Sequence, residues 1–163
     1  MAARSKGSTC GPRVRSWRTL RCLNVLNGHT EAVTSLVALS DGTSFASGSD
    51  DKTVRMWRRA ACTHVFRGHT GAVTCLVALP SGGKALFANG SDDKTVRVWD
   101  NDVCLLKLQG HMATVTCLAV PSGALASCSK DKTVRIWRDD WFLRILRGHT
   151  AAVTCLVPSR PRR

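Results

Sequence analysis

Histidine, serine and aspartate, the side chains of a nucleophile–base triad, recur at regular intervals in this 163-residue chain. The histidines follow glycine at Gly28-His29, Gly68-His69, Gly110-His111 and Gly148-His149. The aspartates stand in Ser49-x-Asp51, Ser91-x-Asp93 and Ser129-x-Asp131, each ahead of Thr-Val-Arg-x-Trp. Hydrolytic chemistry needs one exposed nucleophile beside an oxyanion site. Here the same types return three times with a tryptophan attached, and such repetition assigns each position one packing role per repeat. No catalytic residue and no enzymatic activity are expected.

The eight cysteines suggest a second chemistry, metal or disulfide binding. Cys22, Cys62 and Cys104 each lie five residues after a tryptophan, with Phe142 at the fourth such place, and Cys75, Cys117 and Cys155 each lie six after a Gly-His histidine, with Ser35 at the first. Phe and Ser replace neither a ligand nor a bridge partner, and there is no Cys-x-x-Cys pair, so buried free thiols are expected, with no metal and no cofactor. Cys128 falls on a second strand and Cys10 lies outside the repeats. Thiols in this number point to a reducing compartment, cytoplasmic or nuclear. Asn89-Gly90-Ser91 has the form of a glycosylation acceptor but falls in strand register.

The elements that would position these residues follow from the period. The Gly-His pairs are 40, 42 and 38 residues apart, the length of a four-stranded unit. Each of Trp17, Trp57, Trp99 and Trp137 precedes the next Gly-His histidine by 12 residues, while the return distances are 28, 30 and 26. All the variation lies in the turns Ser40-Asp41-Gly42, Pro80-Ser81-Gly82-Gly83 and Pro121-Ser122-Gly123, which accept insertions because they run on the surface. Between turns, Val33 to Leu39, Phe45 to Ser49, Thr53 to Trp57 and Cys62 to Phe66 are β-rich, and the set recurs twice. The run Ala72 to Leu79 is apolar on both parities, as a strand buried on both faces should be.

Gly-His, 26 to 30 residues, then Ser-x-Asp-x-Thr-Val-Arg-x-Trp resembles the WD40 repeat family, and the likeness covers residues 13–157. The literal Trp-Asp pair survives only at Trp99-Asp100. The resemblance implies an all-β fold: a partial β-propeller with three complete four-stranded blades and partial blades at both ends. The repeats would span 13–26 (partial), 27–66, 67–108, 109–146 and 147–157 (partial), between basic tails at 1–12 and 158–163. It also implies structural hydrogen-bonding sets: His29, Ser47, Asp51 and Trp57; His69, Asp93 and Trp99; His111, Ser127, Asp131 and Trp137. The second set has Asn89 in the place of Ser.

By the same resemblance the function is that of a non-catalytic protein-interaction scaffold. Partner proteins or peptides would meet the face where the first strands begin, at Thr30, Glu31, Asp50, Thr70, Asp92, Met112, Lys130 and Thr150. Their mixed chemistry suits a polypeptide better than a phosphate backbone. In relatives that serve as ubiquitin-ligase receptors an Arg stands three residues after the Trp of a Trp-Asp pair; Asp102 occupies that place here.

Composition adds bounds. The chain is 44% hydrophobic and 21% charged, which fits a globular protein. Its longest apolar runs fall well short of the roughly 18 residues of a membrane helix, so a soluble protein without a membrane partner is expected. The net charge of +13 sits largely in the terminal segments Arg4 to Arg21 and Arg160 to Arg163, with six basic and no acidic side chains in residues 1–30 and three basic ones in 158–163. Weak, salt-sensitive RNA or DNA binding by those tails is the alternative function, and residues 1–12 alone could carry an organellar address. The strands total 15, one fewer than a four-bladed ring needs, so three assemblies are open: a piece of a longer propeller, self-association that completes a ring, or a strained closed ring.

Overall fold

The computed structural model describes residues 24–80, 85–100, 102–138 and 141–157. Both basic tails, Cys10, Cys22, Trp17 and most of the N-terminal partial repeat lie outside the described residues.

Among the described residues, twelve strands form three antiparallel sheets. The first blade is β1 (Val33–Ala38), β2 (Ser44–Ser49), β3 (Val54–Arg58) and β4 (Ala61–Phe66). The second is β5 (Val73–Ala78), β6 (Phe87–Ser91), β7 (Val96–Asp100) and β8 (Val103–Leu108). The third is β9 (Val115–Ala119), β10 (Leu125–Ser129), β11 (Val134–Arg138) and β12 (Trp141–Leu146). Each sheet keeps chain order, as short turns between β-rich segments dictate. Asp41 fixes one such turn, accepting from the backbone N–H of Thr43 at 3.0 Å and of Ser44 at 2.8 Å. Hydrogen bonds from Ser44 and Thr43 hold its carboxyl down to about 2.

The blades pack by their first strands, β1 beside β5 and β5 beside β9, in an arc that does not close among the described residues. Two devices set the contact. Each first strand bulges at a threonine, and the register skips Thr34, Thr74 and Thr116. The bulge turns the hydroxyl toward the next blade, so Thr34 Oγ1 donates to Val73 O, with Gly48 O of its own blade also 3.1 Å away, Thr74 Oγ1 to Val115 O and Thr116 Oγ1 to Val153 O. Beside them, Gly48 and Gly90 let the next blade approach: a Cβ there would lie 2.6 Å from Val73 Cγ1 and 2.5 Å from Val115 Cγ1.

Two apolar clusters fill the junctions. The first gathers Leu39, Ala46, Val54, Met56, Phe66, Val73, Phe87 and Trp99. The second gathers Cys75, Ala88, Val96, Val98, Leu108, Val115, Leu118, Leu125 and Trp137. Burial on both faces holds only where a blade follows a blade. Val73 and Val115 are 0% exposed, whereas Val33, at the same register on the open side of the first blade, is 57% exposed.

The C-terminal segment departs from the sequence reading of a first strand over Ala152 to Val157. It lies along the third blade, with Val153 N donating to Ser129 O at 3.2 Å and Leu156 N to Cys117 Sγ at 3.4 Å, but it forms no ladder. A first strand builds its ladder with the second strand of its own blade, and no such strand is present among the described residues. Buried thiols are likewise corrected. The six described cysteines are free, and Cys75 and Cys128 are buried, each pushed by desolvation up to about 12. Cys62 is exposed because β4 is an outer strand, and Cys155 because the segment carrying it is uncovered.

Candidate interaction rim and the polar network beneath it

The sequence Ser-x-Asp-x-Thr builds the turn between second and third strands. In the first blade Ser49 Oγ donates to Glu31 O at 3.3 Å and accepts from Asp51 N at 3.1 Å. Asp51 Oδ1 accepts from Thr53 N at 2.9 Å and Thr53 Oγ1 at 2.6 Å. The turn places Lys52 at φ 68°, Lys94 at 71° and Lys132 at 68°, a left-handed conformation unusual for lysine.

This turn aims the second carboxylate oxygen inward. Asp51 Oδ2 lies 2.7 Å from His29 Nδ1, Asp93 Oδ2 2.7 Å from His69 Nδ1 and Asp131 Oδ2 2.8 Å from His111 Nδ1. On the far side of the ring, His29 Nε2 meets Ser47 Oγ at 2.8 Å and His111 Nε2 meets Ser127 Oγ at 2.8 Å. Trp57 Nε1 donates to Ser47 Oγ at 2.8 Å and Trp137 Nε1 to Ser127 Oγ at 2.9 Å. Because an indole N–H can only donate, the serine oxygen accepts it and its proton goes to histidine Nε2, leaving Nδ1–H for the aspartate.

The electrostatics follow. Burial opposes ionisation of Asp51, Asp93 and Asp131, but donated hydrogen bonds from threonine, histidine and backbone outweigh it. All three are held below the usual carboxylate range, Asp93 at about 2. Desolvation lowers His69 and His111, in spite of their aspartates. The second blade breaks the pattern. Asn89 Oδ1 accepts from Trp99 Nε1 at 2.8 Å, but Asn89 Nδ2 and His69 Nε2 are buried with no partner among the described residues. Asn89 is 1% exposed, which removes its side chain from any surface chemistry.

No hydrolytic geometry arises from these groups. Ser47 and Ser127 are buried, and each hydroxyl already spans a tryptophan and a histidine. His149, by contrast, is exposed and faces no aspartate turn among the described residues.

The network carries a rim. Asp51, Asp93 and Asp131 accept from the backbone N–H of Thr30, Thr70 and Met112, at 3.1, 3.1 and 3.0 Å. Asp50 N, Asp92 N and Lys130 N donate to Ala32 O, Ala72 O and Thr114 O at 3.0, 2.9 and 3.0 Å. The residues before each first strand and before each turn aspartate therefore meet at one end of every blade. Thr30, Glu31, Thr70, Asp92, Met112, Lys130 and Thr150 are exposed, and Asp50 is half-buried. Thr150 stands apart, since no turn pairs with it among the described residues.

Sequence reasoning missed Arg55, Arg97 and Arg135. Arg97 lies over Gly68, donating Nη2–H to Gly68 O at 2.8 Å and Nη1–H to Cys104 Sγ at 3.6 Å. Arg55 Nη1 reaches Cys62 Sγ at 3.6 Å. A Cβ on Gly68 or Gly110 would lie 2.9 or 2.3 Å from the Nη1 of Arg97 or Arg135, at φ values of 152° and 143°. The glycines of the first three Gly-His pairs, Gly28, Gly68 and Gly110, thus make room for an arginine, whereas a Cβ on Gly148 would meet nothing within 4 Å. The signal was present, because arginine and cysteine recur seven residues apart at 55/62 and 97/104.

The solved structure of U3-55K is similar to this chain, with 29% identity and a TM-score of 0.73 over 79% of the chain. The match spans 43% of the U3-55K chain. No curated protein matches the sequence. The sequence model of the WD40 family, described as WD domain, G-beta repeat, matches residues 20–58, 60–100 and 102–138. These matches cover well over half of the chain, so the protein belongs to the WD40 repeat family.

Proposed function

We propose that the chain is a non-catalytic protein-interaction scaffold whose partners dock on the rim formed by Thr30, Glu31, Asp50, Thr70, Asp92, Met112, Lys130 and Thr150. One contrast carries this reading. The buried His–Asp pair repeats from blade to blade, while the rim above it changes from Thr-Glu with Asp50, to Thr-Gly with Asp92, to Met-Ala with Lys130. A constant interior under a varied rim suits recognition of an irregular polypeptide surface, and Met112 at 76% exposure offers it an apolar anchor. The free thiols fit a reducing cytoplasm or nucleus.

The open face of the first blade supports a further element, completion of the arc by more blades of a longer chain or by a second copy. Val33 and Leu36 are 57% and 66% exposed, where Val115 and Leu118 are 0% and 7%.

Photo-crosslinking from position 112, with position 122 at the other end of the blade as control, tests the rim. A discrete protein adduct from 112 alone, retained at high salt, is expected. Equal adducts from both positions, or none, would overturn the reading. An adduct removed by nuclease and by salt would favour the tails and nucleic acid.

A further inference from the structure

The two blade junctions are built from matching positions but filled differently. At the first, Phe66 packs edge-to-face on Phe87 at 5.0 Å and on Trp99 at 5.3 Å. At the second, the register positions of Phe66, Phe87 and Trp99 hold Leu108, Leu125 and Trp137. Two leucines fill less than two phenyl rings, and a cleft of about 300 Å³ opens there, walled also by Leu86, Val98 and Val120.

The outer edge differs in the same direction. At the first junction His64 Nε2 lies 3.3 Å from Asp102 Oδ1, tying the outer strand to the next blade. Leu106 occupies His64's register and carries no group for such a tie. Leu105, the residue skipped by the β7–β8 register, is swung to the cleft mouth and is 50% exposed. An exposed cation, Arg138, completes the lip.

We propose that this cleft binds a phenylalanine side chain of a partner polypeptide, with an acidic neighbour of that residue held by Arg138. The chain itself shows what the position accepts, since Phe66 and Phe87 occupy the matching space one blade earlier. The shape and apolar walls suit one aromatic anchor, and the arginine complements a carboxylate. The site goes beyond the scaffold reading and is separable from it, because it lies at the ends of the strands opposite the rim.

The test is methyl NMR of the full chain titrated with N-acetyl-Asp-Phe-amide. Saturable shifts at Leu86, Leu108, Val120 and Leu125 are expected. A Leu108→Phe/Leu125→Phe double variant, which refills the junction, should weaken binding at least about tenfold. Arg138→Glu, at an exposed position that leaves the core intact, should weaken it several-fold and spare binding of N-acetyl-Ala-Phe-amide. Shifts that are absent, that map to Val33 and Leu36 on the open face of the first blade, or that survive in both variants would overturn the proposal. Rim crosslinking is independent of all these outcomes.

Discussion

Thr74 Oγ1 donates its hydrogen bond to the carbonyl of Val115, so the second blade grips the third through a side chain that the strand ladder of its own sheet skips. Thr34 and Val73 repeat the relationship one blade earlier. Valine keeps the shape of threonine and removes the donor. Thr74→Val is expected to lower unfolding free energy by about 1 kcal/mol, the net worth of one such bond, with the carbonyl left unpaired as an added cost. Urea denaturation measures it, and Thr70→Val, at an exposed threonine, is the control.

Gly90 sits where the next blade presses closest. A methyl there would lie 2.5 Å from Val115 Cγ1 and 2.7 Å from Cys75 Sγ, so Gly90→Ala should destabilise the protein by roughly 1 to 3 kcal/mol. Gly42, where a Cβ meets nothing within 4 Å, has φ 68°, so Gly42→Ala separates backbone strain from crowding. It should cost about 1 kcal/mol. Equal losses for the two variants would refute the crowding account.

Asn89→Ser should stabilise the protein by about 1 kcal/mol. It replaces an amide whose Nδ2 is buried without a partner by the hydroxyl that bridges tryptophan and histidine in the other two blades, and it gives His69 Nε2 a donor. Thermal melting of this variant and of the reverse change, Ser127→Asn, should move in opposite directions.

Acid should act in two stages. His69 and His111 titrate lower in the folded state than unfolded, so the stability they lend is complete above pH about 6.5 and begins to fall below it. The turn aspartates, also lowered on folding, lend stability that is complete above pH about 4 and is lost as pH falls towards their folded values. Unfolding free energy measured from pH 8 to pH 2 should fall throughout the acid range, and Asp93→Asn should flatten the lower stage. A rise in stability between pH 6.5 and pH 5 would contradict the histidine assignment.

The sheets were legible because one rigid interval, tryptophan to histidine, fixes where every outer strand and every first strand must stand, and the loops absorb the difference. The meeting of His29 with Asp51 and of Trp57 with Ser47 was legible only as what the resemblance to the WD40 family implies. What the sequence hid depends on single-residue irregularity. A bulge at Thr74 re-aims one side chain without altering composition or period, and nothing in a string of letters marks which residue of a strand is skipped. The exposure of Cys62 and Cys155 was hidden for another reason: register places a residue on a strand but does not say whether a neighbour covers it. The substitution of Leu108 and Leu125 for the phenylalanines was visible all along. Only the packing of Phe66 on Phe87 and Trp99 shows what the smaller side chains leave open.

The family matches start one strand earlier than the sheets do. Residues 60–100 hold β4 with β5, β6 and β7, and residues 102–138 hold β8 with β9, β10 and β11. The sequence unit that repeats is therefore displaced from the sheet that folds. A duplication that copies residues 60–100 as a block brings an outer strand that closes the blade before it and three inner strands that wait for the block after it. Every copied block arrives already hooked to its neighbours, so an array can lengthen at any internal boundary without stranding a half-built sheet in its middle. The unfinished edges move to the ends.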